Sequence, residues 1–279
     1  MYRHVAMLNH DCFPNCTKLQ PARGVSYSEV RTTRPVAAGE SITISYLPRV
    51  LSHASRRKYL WDQHRFDIGA TLKGDRLKME LIGNELPKSS ISLWDTTTTS
   101  IATRIENATE DLEKLLSEST AEIDSGTAPP NIWEVIKALE VSSLELYTES
   151  AKQLNNERHT ILIPCLALHS EACQLVQKAP GLLVQTQLGI LSRVVATTRK
   201  LIGMQKSFLG PDHFDLARTN LDHANAIAEL LSRSPRDLPT LPSLNSFQQW
   251  SAAEKESRKE YLRIKKLYPY DAENVVGDT

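Results

Sequence analysis

Two stretches decide the reading of this chain: Asn9-His10-Asp11-Cys12-Phe13-Pro14-Asn15-Cys16 and, further on, Gly39-Glu40-Ser41-Ile42-Thr43-Ile44-Ser45-Tyr46. The first is rich in turn formers, and Pro14 holds Phe13 out of the α region. In the second, Gly39-Glu40 makes a turn, and Ile42, Ile44 and Tyr46 alternate like one face of a strand over Ser41 to Tyr46. Between them, Thr17 to Thr33 reads as strand, turn, strand. Pro21-Ala22-Arg23-Gly24 is the turn signal, and Val25, Tyr27 and Val30 are strand formers.

Outward from this β-rich start the pattern changes. Pro48 breaks the strand, and Ser52 is an N-cap for a helix over about residues 53–64. Residues 67–98 are an irregular connector punctuated by Gly69, Gly74, Gly83 and Pro87, with a short strand at Lys78 to Ile82. Thr96 to Thr99 disfavour a helix there. From about residue 100 a helical period sets in with Ile101, Ile105, Ala108, Leu112, Leu115 and Leu116. Further helices follow from Ile132 to Leu154 with Asn131 as cap, His159 to Lys178, Leu182 to Phe208, Phe214 to Leu231 with Asp212 in the cap region, and Ser246 to Leu267. A Pro-rich link (Pro235, Pro239, Pro242) precedes the last of them, and the tail from Pro269 onward reads as loose. About six amphipathic helices with short breaks predict stacked antiparallel pairs. The expected fold class is α+β: a small β-rich part, then an all-α array, with units at 1–66, 67–99 and 100–279.

Composition narrows the function. Among 279 residues, 33 Lys+Arg balance 33 Asp+Glu, so a nucleic-acid-binding surface is not expected. No apolar run approaches the roughly 20 residues of a membrane span, and Met1 to Leu8 does not read as a secretory signal. Four cysteines in a chain of this length read as reduced thiols of an intracellular protein, in cytoplasm or nucleus.

Together the motifs resemble the C-terminal half of a SET domain, the fold of many protein-lysine methyltransferases. The family pattern Asn-His-x-Cys-x-Pro-Asn stands here as Asn9 to Asn15. Its Arg-x-Val-x-x-Gly-Glu-x-Ile-x-x-x-Tyr segment stands as Arg34 to Tyr46, and Arg56 to Phe66 resembles the closing helix of the SMYD-type subfamily. Lys206-Ser207-Phe208-Leu209-Gly210-Pro211-Asp212-His213 resembles the tetratricopeptide (TPR)-like domain of those proteins, although no repeat of about 34 residues is visible.

The resemblance implies an S-adenosylmethionine (AdoMet)-dependent lysine methyltransferase. It makes Tyr46 the catalytic hydroxyl, Asn9, His10 and Phe66 cofactor contacts, and His64 a residue of the lysine channel, where the subfamily often carries tyrosine. The plain alternatives are a packed strand tyrosine, an Asn9 turn and a core Phe66. SET proteins carry a glycine-containing cofactor loop, and SMYD-type proteins a zinc-binding module, ahead of the Asn-His motif. Neither is found ahead of Asn9, so the chain is expected to be truncated at its N-terminus and inactive by itself. The subfamily also carries cysteines after Phe66 that bind zinc with the motif cysteine. Here Asp67 to Lys73 holds none, and Cys12 alone cannot make a four-ligand site. No zinc and no other metal is therefore expected, and Cys165 and Cys173 read as core. The competing reading is a non-catalytic module that binds protein partners through its helices.

Overall fold

The computed structural model describes residues 7–19, 28–47, 50–69, 97–154, 156–234, 238, 239, 241 and 244–268. Among them are four short strands: β1 (Asn9–His10), β2 (Cys16–Leu19), β3 (Glu29–Thr32) and β4 (Thr43–Ile44). Seven helices follow: α1 (His53–His64), α2 (Thr97–Asp124), α3 (Ile132–Leu154), α4 (Leu162–Gln177), α5 (Val184–Phe208), α6 (Phe214–Arg233) and α7 (Phe247–Leu267). A small β region followed by a helical array is the expected α+β class.

β2 and β3 form an antiparallel pair, with Cys16 opposite Thr32 and Leu19 opposite Glu29. The sequence pattern predicts this hairpin, although its turn at Pro21 to Gly24, with Val25 and Tyr27, lies outside the described residues. The short strand at Lys78 to Ile82, the breaker Pro48, connector residues 70–96, Pro235, Pro242 and the tail from Pro269 also lie outside them. β4 is shorter than the predicted Ser41 to Tyr46, because its parallel partner β1 offers only Asn9 and His10. Ile42 is consequently 40% exposed while Ile44 is buried.

Each helix of the array packs against the next. Contacts at their ends show the antiparallel order: Arg104, early in α2, reaches Gln153 at the end of α3, and Arg233, closing α6, reaches Gln187 early in α5. Ile136, Leu139, Leu168, Val194, Ile227 and Trp250 share one core across α3 to α7, and burial of such stripes is what holds helices of this length together. α2 begins at Thr97, inside the predicted connector. The helix penalty of a threonine is only some tenths of a kcal/mol, and Ala102 and Ile105, one turn on, are buried. Ser246 caps α7 as a serine should, its hydroxyl accepting from Gln249 N–H. The cap of α6 is His213 rather than Asp212. Asp212 instead pairs with Arg263 at 2.6 Å.

The β region docks on the end of this array. Leu19 is buried with Leu216, Ala217, Ile264 and Tyr268. Phe13 meets Phe208 edge-on at 5.4 Å, and Asp212 N–H donates to the Thr33 carbonyl at 3.1 Å. Gly210 lies so close that a β-carbon there would sit 2.5 Å from the Thr33 oxygen. On the other side, Glu106 of α2 accepts from Ser52 N–H, Ser52 Oγ and Ser55 Oγ, tying the start of α1 to the array.

Candidate functional site

The two decisive stretches meet through β1 and β4, with Asn9 beside Thr43 and His10 beside Ile44. Asn15 locks them together. Its Nδ2 donates to Glu40 Oε1 at 2.9 Å and to the Ser41 carbonyl at 2.8 Å. Its Oδ1 accepts from Thr43 N–H at 3.0 Å. Glu40 is held in turn by Ala37 N–H at 2.9 Å and Arg34 at 3.0 Å. The Ala37 amide first, then Asn15, keep its carboxyl below the usual range. The Gly-Glu turn and the final Asn of the first motif are therefore one hydrogen-bonded unit. Neither Asn15 nor Glu40 is a site residue by the sequence argument; their shared presence in the two motifs was the available signal. Asn15 is buried, so Asn15→Ala strands the Ser41 carbonyl and the Thr43 amide. We expect a loss of about 2–3 kcal/mol, read as a lowered denaturation midpoint, with Asn15→Asp recovering only the Thr43 contact.

His10 carries the geometry to Tyr46. His10 Nδ1 accepts the Tyr46 backbone N–H at 3.0 Å, which fixes that nitrogen as unprotonated and turns Nε2 toward Cys12 Sγ at 3.4 Å. The Tyr46 hydroxyl donates to the Leu8 carbonyl. The phenol is therefore held at both ends by the segment that carries Asn9 and His10.

α1 delivers the rest. Ser52 caps it, accepting Ser55 N–H at 3.2 Å, and Leu60 and Arg56 are buried beneath it. Arg56 stacks over the Phe13 ring at 5.5 Å. The helix stops at Arg65, a left-handed residue at φ 59°, and this reversal turns Phe66 back over the motif. Beyond it, Arg57 grips Asp67 with two contacts of 2.7 Å. That pairing holds the Asp67 carboxyl down at about 2.

Four of the predicted residues converge as rings. Tyr46 lies 5.4 Å from His10, 4.7 Å from His64 and 6.3 Å from Phe66. Phe66 lies 5.8 Å from His10, and Tyr59, which the sequence argument missed, joins through His64 at 6.2 Å. Asn9 and His64 are exposed while His10, Tyr46 and Phe66 are half-buried. The cluster is a solvent-facing wall of π surfaces with one amide at its edge. Cys12 and Cys16 are buried, and burial pushes the Cys16 thiol up.

Residues 1–47 match the SET-domain family model. The match covers about a sixth of this chain, at its N-terminal end. Within that class its similarity is to SMYD proteins. It is 36% identical over 67 residues to histone-lysine N-methyltransferase SMYD3 of Mus musculus and 34% identical over the same length to that of Homo sapiens, in each case covering 24% of this chain and 15% of the relative. It is 28% identical over 102 residues to histone-lysine N-methyltransferase Smyd1 of Mus musculus, 32% of this chain and 21% of that one. The match thus spans about 15% of the length of the SMYD3 sequences.

Proposed function

We propose that His10, Tyr46, His64 and Phe66, with Asn9 at their edge, form one wall of the cofactor and lysine site of an AdoMet-dependent protein-lysine methyltransferase. The observation that carries this reading is the convergence of the four rings, with the Tyr46 phenol anchored on the Asn9-His10 segment. AdoMet would supply a methyl on a positively charged sulfonium. The residues present suit such a group: Phe66 offers a half-buried aromatic face to a purine ring, and Asn9 an exposed amide to its polar end. Tyr46 holds its hydroxyl proton on Leu8, so its oxygen lone pairs remain to face an incoming amine or a methyl with partial positive charge. His10 fixes the tyrosine backbone, and the rings exclude water from one side of the path. The relatives carry histone-lysine specificity in their names, and a histone or other protein lysine is the proposed substrate class.

These residues make one wall only, and positioning both reactants takes two. Residues 1–279 by themselves are therefore proposed to bind AdoMet weakly and to transfer no methyl. Calorimetric titration with AdoMet and a radiolabelled transfer assay on histones and cell lysate test this. Fusing residues 1–279 to a SET segment that carries the glycine-containing loop is expected to give labelling, and Tyr46→Phe then to remove about 10²-fold of it or more. Labelling by residues 1–279 alone would overturn the one-wall reading, and labelling by the fusion that is indifferent to Tyr46→Phe would overturn the assignment of Tyr46.

A partner-binding role for the TPR-like array is the second reading. Leu183, Val184 and Phe247 present large apolar side chains to solvent at the starts of α5 and α7. Among the described residues, no helix is long and apolar enough to cross a membrane. Four free, buried cysteines fit the proposed intracellular setting, in cytoplasm or nucleus.

A further inference from the structure

The helical array holds a second cluster of chemically active side chains, away from the rings. Glu140 of α3 and His169 and Cys173 of α4 are 6%, 1% and 0% exposed. His169 and Cys173 share one helix face through their i, i+4 spacing. Cys173 Sγ lies 3.6 Å from Glu140 Oε1 and 3.6 Å from His169 Nε2. One ligand atom from each residue falls within 4.8 Å of the others. A tetrahedral zinc with oxygen, nitrogen and sulfur ligands at their usual bond lengths has ligand–ligand edges of about 3.3–3.7 Å.

The surroundings prepare these atoms. His169 Nδ1 lies 3.1 Å from the Glu140 carbonyl oxygen and 3.1 Å from Ser143 Oγ. A carbonyl can only accept, so the neutral ring donates Nδ1–H to it and keeps the Nε2 lone pair for a ligand. A carbonyl partner on the far nitrogen is the usual arrangement behind a metal-bound imidazole. The sulfur lies beside the ring, 3.6 Å from Nε2 and 4.0 Å from Nδ1. An entering ion would turn the ring until Nε2 faces it. Arg193 Nε donates to the same Glu140 oxygen at 2.9 Å, and its side chain, 43% exposed, is the member of the group that reaches solvent.

We propose that Glu140, His169 and Cys173 form a three-ligand site for a divalent, thiol-seeking metal ion of the zinc type, which Arg193 closes when no ion is bound. Without an ion, the guanidinium balances the buried carboxylate. With one, carboxylate and thiolate together cancel the two positive charges, and Arg193 swings outward. The sulfur–metal bond forms as the thiol proton leaves to solvent; nothing is oxidised. A water completes the fourth position. The lack of cysteines in Asp67 to Lys73 bears on a different site; this one joins residues 29 positions apart, Glu140 and His169.

Cobalt(II) titration of the full, metal-stripped chain under reducing conditions tests it. One equivalent should give a thiolate-to-cobalt absorption in the near ultraviolet and the intense visible bands of tetrahedral cobalt, displaced by zinc. Cys173→Ser should remove the ultraviolet band, while the Cys12→Ser/Cys16→Ser double variant keeps it. Arg193→Gln, a change on the rim that leaves the core packing alone, should tighten binding roughly fivefold by removing a half-exposed competitor. Absence of tetrahedral cobalt bands in the unaltered chain overturns the proposal. So does a band that survives Cys173→Ser or disappears in the double variant, and so does Arg193→Gln binding more weakly than the parent.

Discussion

Gly210→Ala lowers the stability of the folded chain by about 3 kcal/mol and loosens the β region from the helices. Gly210 adopts φ +99°, where a side chain costs about 1–2 kcal/mol on backbone grounds alone. The added carbon would also lie 2.5 Å from the Thr33 oxygen, which must move. Thr33 then releases the Asp212 amide, whose loss adds about 1 kcal/mol. Gly181 supplies the control. It too has a positive φ, +75°, but nothing lies within 4 Å of an added carbon there, so Gly181→Ala should show the backbone part alone, about 1 kcal/mol. Chemical denaturation gives the two values. Limited proteolysis then separates local from global loss, because Gly210→Ala should expose residues 28–47 to cleavage well before α3 to α6. Equal effects of the two substitutions would refute the docking role of Gly210.

Acidification removes a comparable amount through one histidine. His223 of α6 is buried, its Nδ1 2.8 Å from Thr198 Oγ1. Burial first, and then the Arg199 charge, push its pKa down from 6.5 to about 4. An unfolded chain takes up this proton near pH 6.5 and the folded chain only near 4. Between those values the unfolded state binds more protons, and stability falls as pH falls. The contribution is whole above pH 6.5 and is lost on the way down to pH 4, up to about 3 kcal/mol at 1.36 kcal/mol per unit. Glu171 and Asp222, raised by burial, push the opposite way. The His223 share must therefore be read as a difference between the parent and His223→Gln across the range. Parallel stability curves for the two would exclude His223 as the acid-sensitive group.

The convergence of His10, Tyr46, His64 and Phe66 was legible because two motifs and a helix each carried a local pattern, and a resemblance ordered them. Helix existence was legible for the same reason: apolar stripes such as Leu216, Ala217, Ala224, Ile227 and Leu230 have the helical period and are buried or nearly so. Boundaries were less so. Thr97 to Thr99 enter α2 because weak local preferences yield to downstream packing, and His213 takes the cap because Asp212 is drawn to Arg263. Hidden altogether were the contacts between distant residues. Nothing in the pattern pairs Gly210 with Thr33, nor Glu140 with His169 and Cys173. Periodicity reports which face of an element is covered, never by what.

That distance along the chain also orders assembly. The His10–Tyr46 contact spans 36 residues and the Ser52–Glu106 cap spans 54. The Thr33 carbonyl waits for Asp212. Neighbouring helices from α2 to α6, by contrast, are separated by few residues. Loop closure over long separations is entropically delayed, so helix pairs are expected to form early and the N-terminal region to settle last. During synthesis the order of emergence runs the other way, since residues 9–66 leave the ribosome long before Gly210. The segment bearing the ring cluster thus emerges before the helices that cover Phe13 and Leu19, and it stays without that surface until they have been made.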